Sequence, residues 1–440
     1  MSLIRTSALK RTTLFSVVGS GIYGLSLILI DIAIAHRYGT GTQAAVYQAA
    51  YMIPTLLIGV FSGGAILGAF VPIFVRLGGK SREFKAEVFL RTTAGTLLAI
   101  LIPLTALLIW GAPLLAETIA SGFTASEREE LNSTLSLMLT MLVPHAVAYV
   151  YYSALVSIGR AGVANFAPFL IPVAGMATIP WWNDHNGATL IATGYVLGSI
   201  LLAVTTGWRL SLDGFRVFPT SPYRLQESGV FLRDYFTTGI ALAALALLLL
   251  LSQIVAASLS ARDLAAFSFG TKLTLLALAF FTTLVNSVAL PQFSSLVTSI
   301  SRLETWLLMR RFILRVFVLA SLGSVLWFLL SGWIVGIVYS RGQFSETDAS
   351  LVAGVQRAFV LQLPFYLIGI FCWRMLNVLG EWKPLLWAIS PALTLHMVLL
   401  YKLPVQYNSI GIAGSYTLSI MVWALALFIA LRRTLTRELR

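Results

Sequence analysis

Residues 309–338 read MRRFILRVFVLASLGSVLWFLLSGWIVGIV, an apolar stretch longer than the ~20 residues that cross a bilayer as a helix. Similar stretches recur along the whole chain, separated by short charged connectors. Inside lipid, only helices and closed barrels satisfy every backbone hydrogen-bonding group. The sequence therefore predicts an all-α polytopic membrane protein with about 12 transmembrane helices, at 12–36, 45–76, 88–116, 131–158, 162–182, 187–210, 231–256, 264–298, 309–338, 350–379, 384–401 and 407–431.

The composition agrees with this prediction. The 440 residues are 58% hydrophobic and 11% charged, with a mean hydropathy of +0.87, whereas soluble domains carry roughly 25% charged residues. The single cysteine, Cys372, excludes a disulfide framework. The net charge of +13 arises at the ends of the apolar stretches, a position typical of contact with anionic headgroups. We therefore expect membrane lipids, and no nucleic acid, as partners.

Lysine and arginine are distributed unevenly between the two alternating sets of connectors. The set that includes both termini holds 21 of them, and the opposite set holds 5. Cytoplasmic connectors carry the excess of basic residues in membrane proteins. This bias predicts a multi-pass protein with both termini in the cytoplasm.

The chain also repeats itself. Pro144 matches Pro364 at an offset of 220, and Gly159 matches Gly380 at an offset of 221, within two stretches of similar sequence. Two parallel six-helix repeats form a transporter architecture, with the substrate path between the halves. The predicted organisation is an N-terminal lobe, a cytoplasmic linker and a C-terminal lobe, at 1–212, 213–223 and 224–440.

Local motifs narrow the field of transporter families. The run PTLLIGVFSGGAILGAFVPIF at 54–74 resembles the second-helix signature of the MurJ (MviN-type) lipid II flippases. Three further segments resemble the same family: the GF…P…FAPFL run across 122–170, FSFGTKL at 267–273 and IVYSRGQFSETDAS at 337–350. The resemblance covers nearly the whole chain.

The resemblance implies membership of the multidrug/oligosaccharidyl-lipid/polysaccharide exporter superfamily, whose fold is two six-helix lobes. It implies a flippase of the bacterial inner membrane that moves an undecaprenyl-pyrophosphate-linked glycan by alternating access. The glycan would be lipid II-like or an exopolysaccharide repeat unit. No cofactor is implied, and the driving force would be a coupling ion, such as H⁺ or Na⁺, or the membrane potential. Glycan-assembly proteins would be possible partners.

The resemblance is incomplete at the substrate cavity. Relatives carry arginines on the second helix, where this chain has Ile58 and Gly59, and Gly63 stands at a nearby acidic position. Lys272 is the counterpart of a cavity arginine on the seventh or eighth helix. These departures predict a cavity that is less cationic than in the relatives.

Lys272 and Asp31 are the leading candidates for substrate contact. An ionisable residue near the bilayer centre costs ~2.5–3.5 kcal/mol on insertion scales, so it normally faces a cavity or a partner. Lys272 is predicted either to contact a substrate phosphate or to extend to the outer interface. Asp31 is predicted to pair with Lys272, to bind a proton or cation, or to be a solvated carboxylate at a helix end.

Further polar residues lie within the apolar stretches. Arg357 and Gln356 give one helix a polar stripe that could line the cavity. Gln48 and Asn286 are either cavity ligands or amides that bridge helices, which is the usual role of intramembrane amides.

Proline and glycine mark candidate hinges. Proline removes a backbone hydrogen bond and kinks a helix, and small residues allow close helix approach. The alternatives are therefore a hinge for inward–outward switching or simple packing. The hinge candidates are Pro54, Gly59, Gly63, Gly64 and Pro291.

The sequence predicts no enzyme. It contains no GxSxG, HExxH, Walker or CxxC motif, so secondary transport is favoured over catalysis or a nucleotide-driven motor. Three functions remain open: a lipid-linked glycan flippase, a MATE-like multidrug or small-solute antiporter, and a non-transporting scaffold for polysaccharide assembly. The family motifs favour the flippase.

Overall fold

The computed structural model describes residues 2–60, 64–220, 226–285, 293, 301–381 and 383–436. These residues are almost entirely helical and include no strand, which confirms the all-α prediction. The α-helices, numbered in chain order, are α1 (Ser2–Tyr38), α2 (Thr42–Ile58), α3 (Gly64–Arg76), α4 (Phe84–Trp110), α5 (Ala112–Ile119), α6 (Ala125–Leu139), α7 (Leu142–Ser157), α8 (Ala161–Phe166), α9 (Leu170–Ala177), α10 (Gly187–Leu212), α11 (Gln226–Leu259), α12 (Ala261–Leu284), α13 (Arg302–Tyr339), α14 (Glu346–Val360), α15 (Leu363–Val378) and α16 (Lys383–Leu435).

Seven helical segments of the described residues are long and apolar enough to cross a membrane, and the bent pair α14 and α15 makes an eighth. Broken helices help to explain why this number is below the predicted twelve: 45–76 divides into α2 and α3, and 162–182 divides into α8, α9 and short 3₁₀ turns. The predicted spans 384–401 and 407–431 share one helix, α16, which kinks at Asn408, where φ is 46°.

The end of α2 and the start of α3 fall among the residues that the sequence marks as hinge candidates. Pro54 lies inside α2, which ends at Ile58; Gly59 and Val60 form a π-helical turn; and α3 begins at Gly64. Proline and glycine both weaken a helix, and π turns are frequent at functional sites. The hinge role of these residues stays a prediction.

Residue contacts divide the chain into two compact units. The first contains Met1–Ile34 and Gly41–Leu250, and the second contains Ala35–Thr40 and Leu251–Arg440. The end of α1 therefore belongs with the second unit. The division falls inside α11, beyond the predicted linker at 213–223, and the predicted lobe boundaries stay a prediction.

Stacked aromatic side chains form much of the core of the first unit. The Phe70 ring lies 5.1 Å from that of Phe74 and 5.2 Å from that of Phe89, and Phe89 meets Phe231 edge-on at 6.1 Å. All four side chains are buried. Large aromatic side chains dominate core energetics, so this stack joins α3, α4 and the start of α11.

The segment 213–220 packs on the first unit. Arg91 of α4 donates from Nε to the Phe218 carbonyl at 3.0 Å, and the Tyr151 hydroxyl of α7 donates to the Val217 carbonyl at 2.6 Å. The first part of the predicted linker is therefore held by side chains of the first unit.

Serine and threonine hydroxyls support the bend between α14 and α15 in the second unit. The two helices meet at an angle of 42°. Pro364 has no N–H, so it cannot satisfy the Val360 carbonyl four residues earlier. The Ser324 hydroxyl of α13 donates to that carbonyl at 2.9 Å, and the Thr417 hydroxyl of α16 donates to the Ala358 carbonyl at 2.8 Å. These hydroxyls replace donors that the bend removes.

Candidate functional site

A buried polar cluster lies inside the first unit, where α1, α2 and α10 supply its side chains. The Tyr47 hydroxyl donates to the Tyr195 hydroxyl at 3.0 Å, and Tyr51 packs edge-on against Tyr195 with ring centroids 5.3 Å apart. Asp31 is fully buried and close enough to interact electrostatically with Tyr47 and Tyr195. A carboxylate at this depth normally faces a cavity or a partner. This geometry favours the predictions of a partnered or ion-binding Asp31 over a solvated one.

Aromatic side chains extend the cluster through α7 towards α8. Tyr149 lies near Tyr51, and its ring stacks on His145 at 5.0 Å and on Tyr152 at 5.4 Å. The Tyr152 hydroxyl donates to Asn165 Oδ1. Together these residues place a row of polar aromatic groups inside the first unit, and hydroxyl and imidazole groups can both bind and transfer protons.

Two glutamines of α2 differ in how their amides are used. Gln43 donates to Glu130 Oε1 at 2.8 Å and accepts from the Ala188 N–H at 2.9 Å, so it bridges helices. Gln48 is 4% exposed, and its Nε2 has no acceptor among the described residues. Buried donors are normally satisfied by protein, water or ligand. Of the two amides, Gln48 therefore fits the predicted role of a ligand-binding group.

Lys272 and Gln356 lie on neighbouring helices of the second unit. Helices α12 and α14 approach closely: a Cβ built at Gly270 would lie 2.7 Å from Val355 Cγ1. Gln356 is fully buried, and neither its side-chain oxygen nor its nitrogen has a partner in the described part of the chain. Lys272 is half-buried. Asp31 belongs to the first unit, so its pairing with Lys272 stays a prediction.

Arg357 is adjacent to Gln356 in sequence, but the two side chains differ in exposure. It is exposed, and its Nη2 would lie 3.4 Å from a Cβ at Gly332 of α13. The predicted polar stripe therefore divides into one buried amide and one exposed guanidinium, and a cavity role for Arg357 stays a prediction. Three other candidates lie outside the described residues: Asn286, Gly63 and Pro291.

A capping box at the start of α6 holds the start of α2. The Thr124 N–H donates to Glu127 Oε2 at 2.8 Å, and the Glu127 N–H donates to Thr124 Oγ1 at 3.4 Å. The second Glu127 oxygen accepts from the Thr42 hydroxyl at 2.9 Å. We call Thr42, Thr124 and Glu127 the first capping cluster.

The second unit contains the equivalent arrangement at the start of α14. Ser345 and Asp348 form the capping box, with N–H to oxygen distances of 3.0 and 3.1 Å. Asp348 Oδ1 accepts from Arg262 Nη2 of α12 at 2.8 Å and from the Thr40 hydroxyl at 2.6 Å. We call Thr40, Arg262, Ser345 and Asp348 the second capping cluster. Its acid has an ionic partner, Arg262, whereas no ion pair to Glu127 is found among the residues that the structure describes.

Equivalent members of the two clusters are separated by 220 or 221 residues, which is the spacing of the sequence repeat. The sequence predictions did not include either cluster, although the patterns TASE at 124–127 and SETD at 345–348 are capping-box signals. They also omitted the tyrosines of the first unit. The four-residue spacing of Tyr47 and Tyr51, one helical turn, could have indicated a shared polar face.

Comparison with known proteins identifies the family. The model of the family described as lipid II flippase MurJ matches residues 34–439. A probable lipid II flippase MurJ of Rhizobium tropici is 25% identical over 425 residues, which cover 92% of this chain and 73% of the relative.

Solved structures show the same fold. A lipid II flippase MurJ in an inward closed conformation aligns with a TM-score of 0.80 at 18% identity, covering 96% of this chain and 87% of its own. An inward-facing MATE multidrug transporter of the MOP superfamily aligns with a TM-score of 0.80 at 12% identity, covering 95% of each chain. Both structures share the fold of this chain. The family match over residues 34–439 shows that the chain belongs to the lipid II flippase MurJ family.

Proposed function

We propose that this protein moves an undecaprenyl-pyrophosphate-linked glycan across the bacterial inner membrane by alternating access. The observation that carries the proposal is the family match over residues 34–439. Members of this family are transporters rather than enzymes, and the sequence contains none of the catalytic motifs sought above. Both termini are proposed to lie in the cytoplasm, on the basis of the distribution of lysine and arginine.

The glycan is proposed to be lipid II or an exopolysaccharide repeat unit, and the second-helix positions bear on the choice. Ile58 and Gly59 supply no charge where MurJ relatives were expected to have arginines. Lys272 would then contact the pyrophosphate as a point charge, which an ammonium group can do without fixed geometry. Loss of cations weakens the attraction for a highly anionic ligand, so a glycan lipid with few exposed charges suits the chain best.

Coupling to an ion is proposed to occur at Asp31. A buried carboxylate near Tyr47 and Tyr195 offers oxygen ligands to a cation, or a site for a proton. The membrane potential is the other candidate driving force. Glycan-assembly proteins are proposed as partners.

The test is transport of lipid-linked glycan in cells depleted of their own flippase. The chain should restore exposure of the glycan lipid at the outer leaflet, measured with an externally added enzyme that cleaves or modifies it. Lys272→Ala should remove this activity, whereas the exposed Lys402→Ala should retain it at equal abundance. Full lipid II transport with Lys272→Ala would contradict the role of Lys272, and no exposure of any glycan lipid by the wild-type chain would contradict the proposal.

A MATE-like antiporter is the second candidate, and the buried Asp31 favours it because cation antiport needs an intramembrane acid. Efflux of a fluorescent cation that Asp31→Asn abolishes, together with no glycan transport, would establish this alternative. The third candidate, a scaffold, would be established if the chain supported polysaccharide assembly but showed neither cation efflux nor glycan transport.

A further inference from the structure

An apolar groove runs along the second unit between α13, α15 and α16. Its first part, about 490 Å³, is lined by Ile313, Leu314, Phe317 and Phe428, with Arg310 at one end. The second part, about 480 Å³, lies along α13 as far as Val325 and reaches the bend between α14 and α15. Phe365 and Met421 line both parts, so the two lie next to each other along α13, and we treat them as one groove.

The interior of the groove is almost entirely apolar, and Ser321 adds one half-buried hydroxyl to the lining of its second part. The buried hydroxyls of Ser324 and Thr417 line its second part, and both donate to backbone carbonyls of α14. Phe317 and Phe365 meet edge-on in its wall, with ring centroids 5.5 Å apart. A surface of this kind accepts a hydrocarbon chain without leaving a hydrogen bond unmade.

Arg310 gives the groove one charged end. It is exposed, and it forms no ion pair with any residue that the structure describes. Helix α13 spans 38 residues, about 57 Å, so it extends beyond a hydrocarbon core of ~30 Å. Its uncharged part is 316–338, and Arg310 therefore lies at the interface that the positive-inside bias assigns to the cytoplasm.

The length of the groove matches one leaflet. Fifteen residues separate Arg310 from Val325, which is about 22 Å along a helix. One leaflet comprises about 15 Å of hydrocarbon and 5–7 Å of headgroup region. The groove therefore places a cation at headgroup depth and an apolar channel along the whole acyl-chain depth.

We infer that this groove binds an anionic phospholipid of the cytoplasmic leaflet, with its phosphate at Arg310 and one acyl chain along α13. The charge of Arg310 at one end of the groove selects an anionic over a zwitterionic lipid, and the apolar lining binds the acyl chain. This site belongs wholly to the second unit and does not depend on which glycan is transported.

The experiment measures immobilised lipid by electron paramagnetic resonance. The full chain is reconstituted in phosphatidylcholine vesicles that contain nitroxide-labelled phosphatidylglycerol, and labelled phosphatidylcholine serves as the comparison. Arg310→Gln should weaken binding of phosphatidylglycerol about fivefold, the factor expected for one cation near an anionic surface, and phosphatidylcholine should be unaffected. Arg311→Gln removes the neighbouring charge outside the lining and should have little effect.

A second pair of variants tests the channel itself. A Cβ at Gly414 would meet nothing within 4 Å, and this residue lines the groove, so the side chain of Gly414→Leu should occupy space in the channel. Gly323 of α13 is equally open but does not line the groove, so Gly323→Leu is the matched control. Only Gly414→Leu should abolish the immobilised phosphatidylglycerol.

Three results would overturn the inference. Equal losses with Arg310→Gln and Arg311→Gln would show only general surface charge. Displacement of phosphatidylglycerol by an equimolar polyprenyl phosphate would show that the groove selects a prenyl chain. A dimer of the wild-type chain that Gly414→Leu dissociates would show that a second copy covers the groove.

Discussion

Replacing Asp348 by alanine should destabilise the protein more than the same change at Glu127, although both acids close equivalent capping boxes. Glu127 also accepts a hydrogen bond from Thr42, whereas Asp348 accepts from Thr40 and Arg262. The two variants therefore compare the same helix cap with and without a buried hydroxyl and an ionic partner.

The expected losses of stability follow from how deeply each hydrogen bond of the two acids is buried. Loss of an N-cap interaction costs typically ~1 kcal/mol in either cluster. The Thr40 hydroxyl bonds a carboxylate in a buried setting, which contributes about 1.5–3 kcal/mol. The Arg262 side chain is 51% exposed, so its ion pair contributes about 0.2–1 kcal/mol. Asp348→Ala should therefore cost roughly 3–5 kcal/mol, against roughly 1.5–2.5 kcal/mol for Glu127→Ala, whose partner bond is exposed.

The assay is unfolding in mixed detergent micelles followed by tryptophan fluorescence. A double-mutant cycle between Thr40→Val and Asp348→Ala then isolates the bond between the two side chains, and a coupling of about 1.5–3 kcal/mol is expected. Arg262→Gln serves as the control for the ionic contribution. Equal costs for Asp348→Ala and Glu127→Ala, with no coupling in the cycle, would refute the reasoning.

Four further predictions concern transport, topology and the bent helix pair. Asp31→Asn should reduce transport while the protein remains folded, because the amide keeps the size of the carboxylate and loses its charge; unchanged transport would exclude ion coupling at this residue. Lys272→Arg should retain part of the activity that Lys272→Ala loses, since the charge survives and its geometry changes, as measured by glycan-lipid exposure. Cysteines introduced at 77–87 should be labelled only after cells are permeabilised, and labelling of intact cells would reverse the proposed orientation. Ser324→Ala should cost about 1–3 kcal/mol of stability by leaving the Val360 carbonyl without its donor, as measured by the same unfolding assay.

Much of the fold was accessible from the sequence because lipid imposes a strong rule on the backbone. Apolar stretches such as 187–210 and 309–338 correspond closely to α10 and α13. The breaks were less accessible. The hydrophobic pattern predicts one span at 45–76, because the residues remain apolar throughout. The π turn at Gly59 and Val60 changes only the backbone, so the pattern does not reveal it.

The candidate site was accessible only in part. Asp31 stands out in sequence because a carboxylate is rare inside an apolar stretch, and the structure adds Tyr47 and Tyr195 as its neighbours. Such contacts join residues far apart in sequence: 308 positions separate Thr40 from Asp348. A single sequence carries local propensity and spacing, but no signal for which distant side chains meet.

The place of residues 35–40 also bears on how a duplicated chain evolves. Two identical halves would at first each close their capping box with their own residues, as the first cluster still does with Thr42. The second cluster has Arg262 at the position equivalent to Thr42 and also includes Thr40, which belongs to the first sequence half and to the second compact unit. A gene cut between the repeats would thus give a second fragment without one ligand of Asp348. The buried carboxylate of Asp348 therefore takes one of its hydrogen bonds from a residue of the other repeat.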